Sequence, residues 1–169
     1  MVERRHVIRH RVLPIIAAAI IVAVAIAMIF LIYSSAGPFQ TAESVYVEKL
    51  SPVLDMMRAA DLQERQAVQD WKNSKLTTDE AISMFTSLQS GRLQIRSNLN
   101  AIVAPTSFRE IHQEIVDANE LWINANDNYL QGMLQGNNKI IEDADLQAKN
   151  ANQKLNSAVE KLRTRGFDI

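Results

Sequence analysis

The chain has 169 residues, enough for one modest domain and one further segment, and it contains no cysteine. The missing cysteines exclude disulfide bonds, c-type haem attachment, thiolate metal sites and a lipoprotein anchor. The formal net charge is −1, but residues 1–11 hold four arginines against one glutamate, which leaves the remainder acidic with scattered basic residues. A region without a clustered positive face argues against nucleic-acid binding.

Residues 12–33 form an uncharged apolar run that as a helix would span about 33 Å, close to the hydrocarbon thickness of a bilayer. The arginines before it determine its topology and place residues 1–11 in the cytoplasm as a basic head: Arg4, Arg5, Arg9 and Arg11. A signal peptide cleaved after Ala36 is the alternative, but the apolar run is longer than the roughly 7–15 residues typical of such peptides. We therefore expect an uncleaved transmembrane signal-anchor helix.

Ala19, Ala23 and Ala27 recur every four residues and would share one face of this helix. Stripes of small side chains let another transmembrane helix approach closely, so this stripe is a candidate packing surface for a second membrane protein or a second copy. The alternative interpretation is that alanine is simply frequent in the span.

Residues 34–51 are expected to form a juxtamembrane connector that is partly helical, and residues 52–166 an extracytoplasmic bundle. Pro52 suits the first turn of a helix, so the first bundle helix is predicted to start there and to end near Lys72. Thr77 and Glu80 predict a capping box at the start of the second helix, which Pro105 ends.

The third helix is predicted to start at Ser107 with a second capping box to Glu110 and to end at Gly136. The fourth repeats apolar residues at spacings of three and four up to Leu162, which is typical of a seam between helices. We expect aromatic rings of the third helix to cover alanines of the fourth, with these residues forming the seam: Trp122, Tyr129, Ala144, Ala148 and Ala151.

Four amphipathic helices with short connections predict an all-α fold, an antiparallel up-down-up-down four-helix bundle after a single transmembrane helix. This topology places the 167–169 tail near the membrane. Arg163 and Arg165 would then lie near lipid headgroups, and Phe167 and Ile169 could enter the interface.

Polar residues interrupt the apolar stripes of the first two helices. Glu64 and Arg92 occupy stripe positions, and Arg58 and Asp61 lie close to them, so the four form a candidate polar cluster between helices. Three interpretations stay open. The residues form an ion pair that fixes the register, they line a small cavity for an anionic or amphiphilic ligand, or they face water.

Asparagines are dense in the third and fourth helices, among them Asn119 and Asn126. They are interpreted as lying off the apolar stripes, on a largely uncharged face. Such a face is usually solvated, although a protein partner could also cover it at low desolvation cost.

No pattern in the sequence indicates catalysis. His112 lies between Glu110 and Glu114, but residues two apart on a helix cannot converge on a metal, so we interpret it as a surface histidine. The sequence has no Gly-x-Ser-x-Gly turn and no glycine-rich phosphate loop. We expect no enzyme activity, no cofactor and no metal.

The order of a basic head, one membrane helix and a four-helix bundle resembles the sensor half of bacterial chemoreceptors and histidine kinases. Such receptors need a second membrane helix and a cytoplasmic output module, which this sequence does not show, so no family is assigned. The first hypothesis is a single-pass protein of the cytoplasmic membrane that acts as accessory subunit or scaffold, in contact with the bilayer and with another membrane protein or a second copy. The second is an extracytoplasmic ligand-binding bundle that signals through a membrane partner.

Overall fold

The structure is a computed structural model that describes residues 41–169. The predicted basic head, membrane helix and alanine stripe lie outside these residues. The described part is all-helical, which confirms the prediction of four helices: α1 (Ala42–Lys72), α2 (Thr78–Ala101), a 3₁₀ turn (Thr106–Phe108), α3 (Arg109–Gln135) and α4 (Asn138–Thr164). Within residues 41–169, none of the helices has both the length and the apolar character needed to cross a membrane.

Consecutive helices run antiparallel, as contacts between their side chains demonstrate. On α3 and α4, Asp117 pairs with Lys154, whereas Tyr129, further along α3, bonds to Asp145, which lies earlier in α4. The turns have the local chemistry that the sequence predicts. The Thr77–Glu80 capping box is present, and Gly136 ends α3 in the left-handed conformation at a φ of 61°.

Helix α1 is one continuous helix of 31 residues with Pro52 inside it, so the predicted start at Pro52 is wrong. Tyr46 and Leu50 precede the proline and are both buried in the core. Each such burial contributes about 1.5–3 kcal/mol, which together offsets the roughly 3 kcal/mol that an interior proline costs. The bundle therefore begins at Thr41, which caps the helix by accepting a hydrogen bond from Ser44, and includes residues assigned to the connector.

The predicted capping box at Ser107 is also absent. The chain enters α3 through the 3₁₀ turn, and α3 begins at Arg109 with no side-chain cap. The Ser107 hydroxyl instead donates a hydrogen bond to Glu43 near the start of α1, 3.0 Å away. A contact between two helices thus replaces the local one.

The C-terminal tail packs on the bundle, and its predicted contact with lipid stays a prediction. Phe167 and Ile169 lie against the core, and the ring of Phe167 meets that of Phe108 edge-on at 5.6 Å. The guanidinium carbon of Arg165 lies 4.9 Å from the centre of the Phe108 ring, and Arg163 donates to the Ile169 carbonyl. The aromatic contact removes apolar surface from water without a membrane.

Two apolar clusters form the core of the described bundle. One lies at the end that holds Thr41 and the tail and includes Leu54, Met57 and Ile115. The other lies towards the opposite end and includes Phe85 and Tyr129. On α1 and α2 a stretch with buried charged residues separates the two clusters, and the candidate site lies at this level.

Candidate functional site

The bundle buries five polar side chains near the boundary of the two apolar clusters. We call these side chains the polar layer: Asp61, Glu64, Arg92, Asn119 and Asn126. At its centre, Arg92 Nη2 donates to Glu64 Oε2 at 3.2 Å, and the two side chains are 0% and 3% exposed. Arg92 Nη1 also donates to the Met57 carbonyl at 3.4 Å. The interior of the bundle thus holds an ion pair that joins α1 to α2.

Helix α3 completes the surroundings of Arg92. The guanidinium carbon lies 4.1 Å from the centre of the Trp122 ring, and Asn119 Nδ2 donates to the Arg92 carbonyl at 3.2 Å. A desolvated cation over an indole contributes about 2 kcal/mol. These contacts fix the register of three helices at one level.

The other two residues of the predicted polar cluster have different positions. Asp61 pairs with Arg65 at 2.6 Å and accepts a hydrogen bond from Asn152 of α4 at 2.8 Å, so it connects α1 to the fourth helix. Arg58 is not part of the layer, because it is exposed and bonds to Asp55 on its own helix. Asp61, Glu64 and Arg92 thus lie together, and Arg58 lies apart.

Sequence reasoning missed the asparagines of the layer. Asn119 and Asn126 are completely buried, so the prediction that they lie on a polar surface face is wrong. Both lie three or four residues from Trp122, which is a core spacing on a helix. This spacing indicates a core position. Asparagine is usually exposed, however, and this general preference favours a surface position when only the sequence is considered.

Burial dominates the electrostatics of the layer. It raises the pKa of Glu64 to about 7, against the attraction of Arg92, which favours the carboxylate. Burial also lowers the pKa of Arg92, again against the attraction of Glu64. Glu64 is therefore a carboxyl group whose charge responds to pH near neutrality.

Several buried polar atoms of the layer and of Trp122 beside it make no hydrogen bond to another described group. They are both side-chain amide atoms of Asn126, Oδ1 of Asn119, Nε of Arg92 and Nε1 of Trp122. Each such atom costs about 1–3 kcal/mol of desolvation. Apolar side chains of similar shape at these positions would avoid this cost.

The predicted aromatic and alanine seam brings α3 and α4 together. Trp122 lies with Ala151 in one apolar cluster, and Tyr129 lies with Ala144 in the other. Ala148 packs against both clusters and is only partly buried. The Tyr129 hydroxyl donates to Asp145 at 2.5 Å.

A groove of about 630 Å³ lies between α1 and α4, and we call it the α1–α4 groove. Val68, Tyr129 and Ala148 provide its apolar part. Its charged side chains are Glu64, Arg65, Lys72, Asp145 and Lys149, with Lys72 and Asp145 paired at 2.6 Å. Glu64 is therefore both a member of the polar layer and part of the groove lining.

A second groove, of about 550 Å³, lies between α1 and α2, and we call it the α1–α2 groove. Its lining carries no formal charge and consists of Leu62, Gln63, Gln66, Met84, Ser87 and Leu88. Leu62 is 63% exposed and Met84 39% exposed. This surface is apolar and solvent-accessible in the described bundle.

His112 is half-buried and therefore less exposed than the surface interpretation implies. Its Nδ1 lies 3.2 Å from the Tyr46 hydroxyl, and burial lowers its pKa. No group of three or more potential metal-ligating side chains comes together in the part of the chain that the structure describes. The histidine contributes to the packing of α3 on α1.

The chain matches no known protein family, no curated protein sequence and no solved structure.

Proposed function

We propose that the protein is a non-enzymatic interaction module: a membrane-anchored, extracytoplasmic helical bundle that serves as accessory subunit or scaffold of a membrane-associated complex. The apolar run of residues 12–33 would supply the anchor, and the preceding arginines would keep the N-terminus in the cytoplasm. A membrane-impermeant probe that labels a C-terminal tag on intact cells would support this orientation, and a tag accessible only from the cytosol would contradict it.

The α1–α2 groove is the observation that carries the proposal. It exposes Leu62 and Met84 beside glutamines and a serine, without a formal charge. Interface cores are depleted in charged residues because charges are costly to desolvate, so such a surface suits contact with another protein. We expect another membrane protein or a second copy of the chain to cover it.

Replacement of Leu62 by glutamate in the full chain tests the proposal. A charge in an interface core weakens association, so the Leu62→Glu protein, purified in mild detergent, should lose the partner or second copy that accompanies the unaltered protein. Light scattering gives the particle mass, and mass spectrometry identifies the components. Leu146→Glu is the matched control, because Leu146 is similarly exposed, at 56%, but lies on α4. An unaltered protein that purifies as a lone monomer contradicts the proposal.

A second candidate function is ligand binding with transfer of occupancy to a membrane partner. The α1–α4 groove favours it, because its volume falls within the range of about 300–1,000 Å³ that small-molecule sites occupy. Because Glu64 lines this groove and also pairs with Arg92, a ligand bound in the groove would alter the ion pair in the core.

A further inference from the structure

We infer that the α1–α4 groove binds an elongated zwitterion, with a ligand ammonium group at Glu64 and a ligand anionic group at Lys72 and Lys149. This inference deepens the second candidate function, ligand binding. It does not depend on the interaction proposed for the α1–α2 groove.

The lining of the groove is ordered along the helices. Glu64, Val68 and Lys72 lie on successive turns of α1, so about 12 Å of helix axis separates the carboxyl residue from the lysine. Val68 lies between them, and Ala148 and Tyr129 add further apolar surface. The groove thus has a carboxyl group at one end, an apolar middle and the Lys72–Asp145 ion pair at the other end.

Glu64 provides the inner anchor. Its side chain is 3% exposed, and its Oε2 accepts from Arg92. Its Oε1 makes no hydrogen bond to another described group, while the residue lines the groove. A ligand ammonium could donate to this oxygen, and a charge-assisted hydrogen bond at a buried site is stronger than one between neutral groups.

The groove contains both cationic and acidic side chains. The cationic side chains would repel a simple organic cation, and the carboxylates would repel a simple anion. Arg65, Lys72 and Lys149 line the groove together with Glu64 and Asp145. Lys72 already pairs with Asp145 and Arg65 with Asp61, whereas Lys149 has no ion-pair partner among residues 41–169. A ligand that carries both charges, separated by several ångströms, satisfies Glu64 and Lys149 together.

Binding should depend on pH through Glu64. The charged or titratable groups that act on it are Arg92 on α2, Asp61 and Arg65 on α1, and Tyr129 on α3, while Asp145 and Lys149 on α4 line the same groove. Because burial raises the pKa of Glu64 to about 7, the free protein carries a partly protonated carboxyl at neutral pH. An ammonium ligand favours the ionised form, so affinity should fall as the pH decreases below 7 and binding should release a proton.

Isothermal titration of the full chain in detergent at pH 8, with 6-aminohexanoate as probe, tests the inference. Its isomer 2-aminohexanoate has adjacent charges, while hexylamine and hexanoate each keep one charge on a similar chain. We expect saturable binding of 6-aminohexanoate. The affinity of each of the other three probes should be lower by roughly tenfold or more. Absence of saturable binding, or equal binding of all four probes, overturns the inference.

Two variants locate the site. Glu64→Gln should weaken 6-aminohexanoate binding roughly tenfold, whereas Glu48→Gln, an exposed position on the same helix, should leave it unchanged. Because Glu64 also belongs to the core, Lys149→Gln is the second variant: it should weaken binding of 6-aminohexanoate but not of hexylamine. Unchanged binding of 6-aminohexanoate by Lys149→Gln overturns the assignment. The particle mass of Leu62→Glu tests the interaction proposal, and titration with 6-aminohexanoate tests the ligand inference. Either proposal can therefore be overturned without the other.

Discussion

Glu64 and Arg92 bring opposite charges together at the centre of the bundle, where both side chains are shielded from water. Desolvation of two ions offsets most of their attraction, so buried ion pairs seldom add net stability. Their value is geometric: Arg92 has partners on α1 and α3, and a shift of either helix would leave a buried charge unpaired. We therefore regard the pair as the element that fixes the register.

The raised pKa of Glu64 predicts a dependence of stability on pH. The folded protein holds its proton up to about pH 7, whereas the unfolded chain loses it near the ordinary value of 4.5. The contribution of Glu64 to the stability of the fold is therefore fully present below pH 4.5, and it is lost as the pH rises through about 7. Between pH 5 and pH 8 the free energy of unfolding should fall by about 2–3 kcal/mol relative to Glu64→Gln. Urea unfolding of both proteins measures this difference, and a difference that is flat or rises with pH contradicts the prediction.

Asn126 predicts a gain in stability when it is replaced. Both polar atoms of its side chain are buried and unbonded within the described bundle, so Asn126→Leu should raise the free energy of unfolding by about 1–3 kcal/mol. Asn119→Leu is the matched comparison and should gain less, because Asn119 donates to the Arg92 carbonyl. Urea unfolding distinguishes the two, and a destabilised Asn126→Leu protein would show that this amide has a favourable role in the fold.

At the level of elements, local signals and packing compete along the chain. Thr77 with Glu80 and Gly136 are local devices, and the helices begin and end where they predict. Pro52 is a local breaker, yet α1 continues through it because the apolar face runs unbroken from Tyr46 to Met57. Where several buried side chains oppose one local preference, burial decides.

Two glycines in different surroundings should respond oppositely to replacement by alanine. Gly132 lies at the junction of α3 and α4, and Gly91 lies on α2. A Cβ atom at Gly132 would lie 2.6 Å from Ile141 Cγ1 and 3.3 Å from the Asn137 carbonyl oxygen, whereas one at Gly91 would meet nothing within 4 Å. Gly132→Ala should therefore lower the free energy of unfolding by about 1–3 kcal/mol through overpacking. Gly91→Ala should raise it by about 0.5–1 kcal/mol, because alanine is the better helix former. Urea unfolding measures both changes, and equal effects would contradict the packing of this junction.

For the whole bundle, the polar layer lies near the boundary of two apolar clusters, and the tail adds to one of them. Phe167 packs on Phe108 at the end of the bundle where Thr41 begins α1. The tail thus contributes to the fold at the level of tertiary contacts, and its apolar groups are already partly removed from water.

Removal of the Phe167 ring tests this arrangement. Phe167→Ala should lower the free energy of unfolding by about 1–3 kcal/mol in the absence of lipid, since it removes apolar and edge-on aromatic contacts. Leu134→Ala, at a position that is 70% exposed, should change it by no more than about 0.5 kcal/mol. Thermal unfolding with and without lipid vesicles measures both. A Phe167→Ala effect that appears only with vesicles would instead place the tail in the lipid interface.

The sequence alone was sufficient for the helical class, the number of bundle helices and the turns at Thr77 and Gly136, because periodicity and capping act over a few residues. It also singled out Glu64 and Arg92, since a charge on an apolar stripe is visible without a structure. The proposed anchor and its proposed orientation rest on the sequence alone, through the apolar run and the arginines before it.

Tertiary structure decided the features that depend on residues distant in the chain. Ser107 bonds to Glu43 and not to its own helix, and the apolar face of α1 continues across Pro52. Asn119 and Asn126 enter the core, and Glu64 reaches the α1–α4 groove. In each case the free energy of burial is gained only when several helices pack together, so a pattern within one helix cannot reveal which partner a side chain will meet.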